Sequence, residues 1–220
     1  MFKQFGQLWK LFIRPPRQNY STIDLGSPEN QYGQFKMKRT DSYIINKKKQ
    51  KIQYSLYEPL GIQKKYSCVI YCHCNSGSRL ESTQIVPHLI KRGLALLTFD
   101  FTGSGLSDGE YVTLGKYESE DLECIINYVK TIEKIKNIAL WGRSMGAVTN
   151  FLYLSKPNSM KKIKGVIFDS GFANLNTLAL DIAKEKTSVP NILINAILSL
   201  IGDQIIQRFQ IIQQVINQLL

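Results

Sequence analysis

Gly142-Arg143-Ser144-Met145-Gly146 is the stretch whose residue types and spacing could do covalent chemistry. It falls between an apolar run, Asn137 to Trp141, and a segment of helical spacing, Ser144 to Leu154. A serine at such a junction sits on a sharp turn with its hydroxyl raised above the carboxyl ends of the strands. Flanking glycines let the backbone crowd together there, and the result is the geometry a nucleophile needs. The following N–H, of Met145, opens a helix and can donate to a developing oxyanion. Two further segments follow apolar runs. One is His73-Cys74-Asn75-Ser76-Gly77-Ser78-Arg79, and the other is Asp100-Phe101-Thr102-Gly103-Ser104-Gly105-Leu106-Ser107-Asp108-Gly109. The glycine-rich run from Asp100 has the composition of a phosphate loop. It lacks the Gly-x-Gly-x-x-Gly spacing and the acidic residue a dinucleotide site needs, so it reads as the tight turn after a strand. Cys72-His73-Cys74 has the composition of a metal cluster. Alternate strand residues point to opposite faces, however, and the three cannot converge on one ion, so no metal site is expected.

The elements that must position these residues alternate. Cys68 to Cys72 is a continuous apolar run, as in a strand buried on both faces. Ser82 to Arg92 has helical spacing ended by Gly93, with Pro87 as a kink or first-turn residue. Leu94 to Phe101 reads as a strand and Thr113 to Lys130 as a helix whose stripe is Leu122, Ile125, Ile126 and Val129. Asn137 to Trp141 and Lys164 to Asp169 complete the strands, with Ser144 to Leu154 a helix between them. This order is an α/β fold with a mostly parallel sheet. Gln34 to Arg39 and Lys51 to Tyr57 alternate and predict a leading antiparallel hairpin, with Lys47-Lys48-Lys49 in its turn. The final fifty residues give only helical patterns, including Leu175 to Lys186 and a run from Pro190.

The 220 residues suit one domain, read as a basic amphipathic preface over 1–30, an α/β core with the start of a helical cap over 31–200, and a glutamine-rich helical tail over 201–220. Four cysteines, Cys68, Cys72, Cys74 and Cys124, read as reduced core residues of a cytoplasmic protein. No secretory signal is visible, and the longest apolar stretch, Ile192 to Ile206, is too short and polar to span a bilayer. The net charge of +11 makes contact with acidic surfaces plausible, but the basic residues are scattered along the chain. No nucleic-acid motif accompanies them, and no nucleic-acid partner is expected. In residues 1–14 an aromatic stripe of Phe2, Phe5, Trp9 and Phe12 is accompanied by Lys3, Lys10 and Arg14. Its alternatives are peripheral contact with an anionic membrane, packing against the domain, or a disordered tail.

The three glycine-bearing segments, in this order and spacing, resemble the serine aminopeptidase or monoglyceride-lipase-like branch of the α/β-hydrolase superfamily, closest to eukaryotic cytosolic members whose loop reads His-Gly-Asn-Ser-Gly. The resemblance covers about residues 34 to 200. It implies an α/β-hydrolase fold, Ser144 as nucleophile, no cofactor, and a small-molecule or peptide acyl substrate joined by an ester, thioester or amide bond. It also implies the N–H groups of Met145 and Asn75 as oxyanion donors, with His73 bracing the loop; Cys74 stands where the family carries glycine. The triad order in this fold is serine, acid, histidine. Asp169, at the end of the strand that follows the elbow, is the candidate acid, ahead of Asp181 and Asp203; the resemblance gives it a structural role as the alternative. The only histidines are His73 and His88, both upstream of Ser144, with His88 read as a surface or packing residue. The last strands, which carry the acid and histidine in the family, are therefore read as missing. Three readings stay open: an impaired serine hydrolase, a non-catalytic relative that binds without turnover, and a truncated gene product.

Overall fold

Hydrophobic runs separated by amphipathic segments close into one mixed sheet. The computed structural model describes residues 16–61, 65–174 and 199. Among the described residues there are seven strands, β1 (Glu29–Tyr32), β2 (Phe35–Ile45), β3 (Lys51–Pro59), β4 (Tyr66–Cys72), β5 (Ala95–Phe99), β6 (Ile135–Arg143) and β7 (Ile163–Asp169). They lie in the order β1-β2-β3-β5-β4-β6-β7. β5, β4, β6 and β7 run parallel, while β1, β2 and β3 join through antiparallel pairs. The predicted hairpin is present as β2 and β3, in the register Thr40↔Leu56, with the lysine turn between them. That turn is docked as well as solvated: Lys47 pairs with Glu123 at 3.3 Å and Lys48 with Glu120 at 3.7 Å.

Three α-helices link the parallel strands: α1 (Val86–Ile90), α2 (Lys116–Val129) and α3 (Met145–Leu154). β4 sorts its side chains between two faces. Val69 and Tyr71 join Met37, Tyr57 and Leu96 against Val86 and Ile90 of α1. The opposite face holds Cys68, Ile70 and Cys72, all fully buried, and α3 lies there, its Gly146 against the end of β4 at Cys72. α2 packs on α3 with the buried stripe Leu122, Ile125, Ile126 and Val129 predicted from spacing.

Two helices are shorter than their spacing implies. The Ser82–Arg92 segment begins earlier, as a 3-10 turn over Arg79–Ile85, and becomes α-helical only at Val86. Pro87 has no N–H to give an interior turn, so it settles at the helix start. The Thr113–Lys130 segment begins at Lys116 because the Glu118 carboxylate accepts from the N–H groups of Thr113 and Gly115, at 2.8 and 2.9 Å, and holds the preceding turn open. Pro16–Gly171 is one compact unit. The residues read as the cap and as the glutamine-rich tail, on which the reading of missing last strands rests, fall mostly outside the described residues, as does the aromatic stripe of residues 1–14.

Candidate active site

Ser144 stands between the last residue of β6 and the first of α3, with φ 52° and ψ −115°. Positive φ is uncommon for serine, and a strained backbone of this kind needs its surroundings to hold it. Here the support is local. The Ser144 N–H donates to the Asp169 carbonyl at the end of β7, at 2.8 Å. Both flanking glycines are sterically required. A Cβ on Gly142 would lie 2.2 Å from the Gly146 carbonyl oxygen, and one on Gly146 would lie 2.0 Å from the carbonyl oxygen of Cys72. The helix can therefore start directly over the ends of β4 and β6, leaving Ser144 half-buried at the carboxyl end of the sheet.

Met145 is the first residue of α3, so its N–H has no intrahelical acceptor. Asn75 follows the end of β4, half-buried. Among the described residues neither N–H has a backbone acceptor outside the helices and strands. The Asn75 side-chain oxygen is buried without a hydrogen-bond partner. Cys74, in the place where the resemblance puts glycine, has no positive φ, so the side chain is accommodated without backbone strain.

The loop from His73 to Arg79 is pinned at both ends. His73 is fully buried. Its Nε2 accepts from the Phe101 N–H at 3.1 Å, and its Nδ1 lies 2.7 Å from the Cys74 carbonyl. An acceptor at Nε2 and a donor at Nδ1 is the neutral tautomer, and burial lowers the imidazole pKa below its ordinary value. Both ring nitrogens are thus engaged by backbone. His88 is exposed on α1. Among the described residues the structure brings Ser144 and Asp169 together but brings no imidazole to either. The Asp169 carboxylate, half-buried, accepts from the Ser170 hydroxyl at 2.8 Å.

At its other end the loop is held by groups that sequence reasoning missed. Asp100, directly after β5 and fully buried, accepts from the Arg79 N–H at 2.8 Å, the Leu106 N–H at 2.8 Å and the Tyr20 hydroxyl at 2.5 Å. The Arg79 guanidinium donates to the Tyr20 oxygen and, at 3.2 Å, to Ser55. Gln18 accepts from the Ser78 hydroxyl at 2.8 Å, and Arg17 donates to the Ser107 carbonyl at 2.9 Å. The segment 17–20 therefore lies across the loops after β4 and β5. The glycine-rich loop that could pass for a phosphate cradle is instead wrapped around a carboxylate. On the elbow side, Glu81 accepts from the Tyr71 hydroxyl at 2.7 Å and from the Cys74 N–H at 3.3 Å, and it pairs with Arg143 at 3.4 Å.

The chain is similar to known proteins in sequence and in fold. The chain is 31% identical over 118 residues to an uncharacterized 31.7 kDa protein in the traX-finO intergenic region of Escherichia coli; the match spans 52% of this chain and 40% of that protein. It is 31% identical over 86 residues to the uncharacterized protein YqkD of Bacillus subtilis, spanning 39% of this chain and 28% of the relative. Among solved structures it is similar to the Pyrococcus furiosus esterase Pf2001, with a TM-score of 0.65 and 25% identity, covering 86% of this chain and 68% of that one. The Penicillium α/β hydrolase GrgF shares the fold, at a TM-score of 0.53 and 18% identity, covering 67% of this chain and 53% of that one. Residues 68–190, more than half of the chain, match the family model described as the alpha/beta hydrolase fold, and the chain belongs to that family.

Proposed function

We propose that this chain is a serine hydrolase of the serine aminopeptidase or monoglyceride-lipase-like branch, with Ser144 attacking the acyl carbon of an ester, thioester or peptide bond. The observation that carries the reading is the Ser144 backbone, φ 52° between β6 and α3, locked by two glycines that admit no Cβ. The similarity to the Pf2001 esterase supports ester chemistry. The tetrahedral oxyanion is placed against the Met145 and Asn75 N–H groups, and Asp169 is the candidate acid.

The chain has two histidines, and neither is placed to take the proton from Ser144. Removing one triad member lowers rates by about 10⁴- to 10⁶-fold in proteases, with residual turnover from the oxyanion hole and binding. The reading is therefore of impaired hydrolysis. The alternative is a non-catalytic relative that binds an acyl compound. The two are separated by a fluorophosphonate probe. Slow phosphonylation of Ser144 on prolonged incubation of the folded chain supports the impaired hydrolase, whereas a folded chain that stays unlabelled over the same time but binds ester analogues is the binding protein.

A further inference from the structure

The basic residues that are scattered along the sequence are gathered by the topology. Every parallel strand of the sheet starts at the same end, opposite to Ser144, and nearly every one is entered through lysine. Lys65 precedes β4, Lys91 lies in the turn before β5, Lys134 precedes β6 and Lys161 precedes β7; Lys136 and Lys164 are the second residues of β6 and β7. All six are exposed. None is in an ion pair among the described residues. Glu133 sits among them, and the nearby Glu58 carboxylate accepts the Tyr66 hydroxyl. The end therefore keeps a clear excess of positive charge.

We infer that this end of the sheet is a docking surface for an anionic lipid bilayer. The four strands are neighbours in the order β5-β4-β6-β7. At about 4.8 Å per strand their starts form a row roughly 14 Å across, staggered along the strands because β5 begins opposite Cys68 and β7 opposite Ile138, and the long lysine side chains reach out from that row. The cations are lysines, mobile point charges suited to a diffuse negative potential, and not the planar arginine fork that grips individual phosphates. Apolar side chains stand at the same end. Met160, 65% exposed, is next to Lys161, and Leu60, 44% exposed, follows β3. Charge with adjacent apolar groups is the composition of an interfacial contact. Docked this way, the chain holds Ser144 away from the lipid by the height of the sheet, about 20 Å for the seven residues of β4. The proposed site would then take substrates from water and not from the bilayer beneath it.

The test is flotation of the full chain with vesicles of phosphatidylcholine containing phosphatidylserine, against vesicles of phosphatidylcholine alone. Binding is expected only to the anionic vesicles and is expected to weaken with salt. The variant K134E/K136E/K161E/K164E, with residues 1–14 intact, should lose about a hundredfold or more in affinity, while a thermal melt shows it folded. K161E/K164E should lose more than K47E/K49E, a reversal of equal size at the hairpin turn. The inference is overturned by any of four results: equal binding to neutral vesicles, no loss in the fourfold variant, equal loss from the two double variants, or complete loss on deleting residues 1–14 alone. Tighter binding to duplex DNA at the same phosphate concentration would also overturn it and assign the surface to nucleic acid.

Discussion

Ser144 holds a conformation that costs of order 1–3 kcal/mol for a residue with a Cβ. Replacing it with glycine should relieve part of that strain, so S144G is expected to raise stability by about 1 kcal/mol in urea unfolding while removing the hydroxyl. Unchanged or lower stability would show that the turn is not strained. The flanking positions should behave in the opposite way. G146A puts a methyl group 2.0 Å from a backbone oxygen of β4, which no side-chain movement can relieve; a loss of more than about 3 kcal/mol is expected. His73 offers an independent check. Its folded-state pKa is lowered by burial, so its imidazole should titrate by NMR below about 6.5, its ordinary value. The unfolded chain takes up this proton first. His73 therefore contributes stability that is complete above about pH 6.5 and is lost as pH falls below it, by at most about 1.4 kcal/mol per pH unit. A midpoint above 6.5 would contradict the neutral, backbone-bonded ring.

At the scale of elements, the buried chain from Tyr20 through Asp100 to Arg79 holds the loop from His73 to Arg79 to the sheet. Burial raises the Tyr20 phenol pKa, with the neighbouring Asp100 carboxylate acting in the same direction, so the hydroxyl remains a donor throughout the physiological range. Y20F should cost about 1–3 kcal/mol, because Arg79 loses an acceptor and Asp100 a donor in a buried site. The measurement is the urea midpoint, with hydrogen exchange of residues 73–79 as the local readout. Exchange unchanged in the variant would detach the segment 17–20 from the loop. This network was not legible in the sequence, because its members are 59 and 80 residues apart and no periodicity links them. The elbow was legible because its residue types lie in five consecutive positions between a strand and a helix, whereas the approach of Gly146 to Cys72 was not. The strands were legible from apolar runs, but their ends were not: β6 extends to Ile135 and Arg143, and β2 to Ile45, where pairing partners continue beyond the hydrophobic pattern. β1, with the sequence Glu-Asn-Gln-Tyr, has no apolar alternation and exists through its pairing with β2.

Over the whole molecule, the same topology produces two ends of different character. The carboxyl ends of the strands carry Ser144, Asn75 and Asp169, and the amino ends carry exposed lysines. Among the described residues no helix is long and apolar enough to cross a membrane. The chemical reading rests on one side chain, and the direct test is covalent. The full chain is incubated with a fluorophosphonate probe and digested, and the peptide containing Ser144 is measured by mass spectrometry beside the same peptide from S144A. On prolonged incubation a slowly accumulating phosphonyl adduct on Ser144, absent from the folded S144A chain, is the expected result, because no imidazole among the described residues activates the hydroxyl. A folded wild-type chain without the adduct, or equal labelling of S144A at another residue, would contradict the assignment of Ser144 as nucleophile.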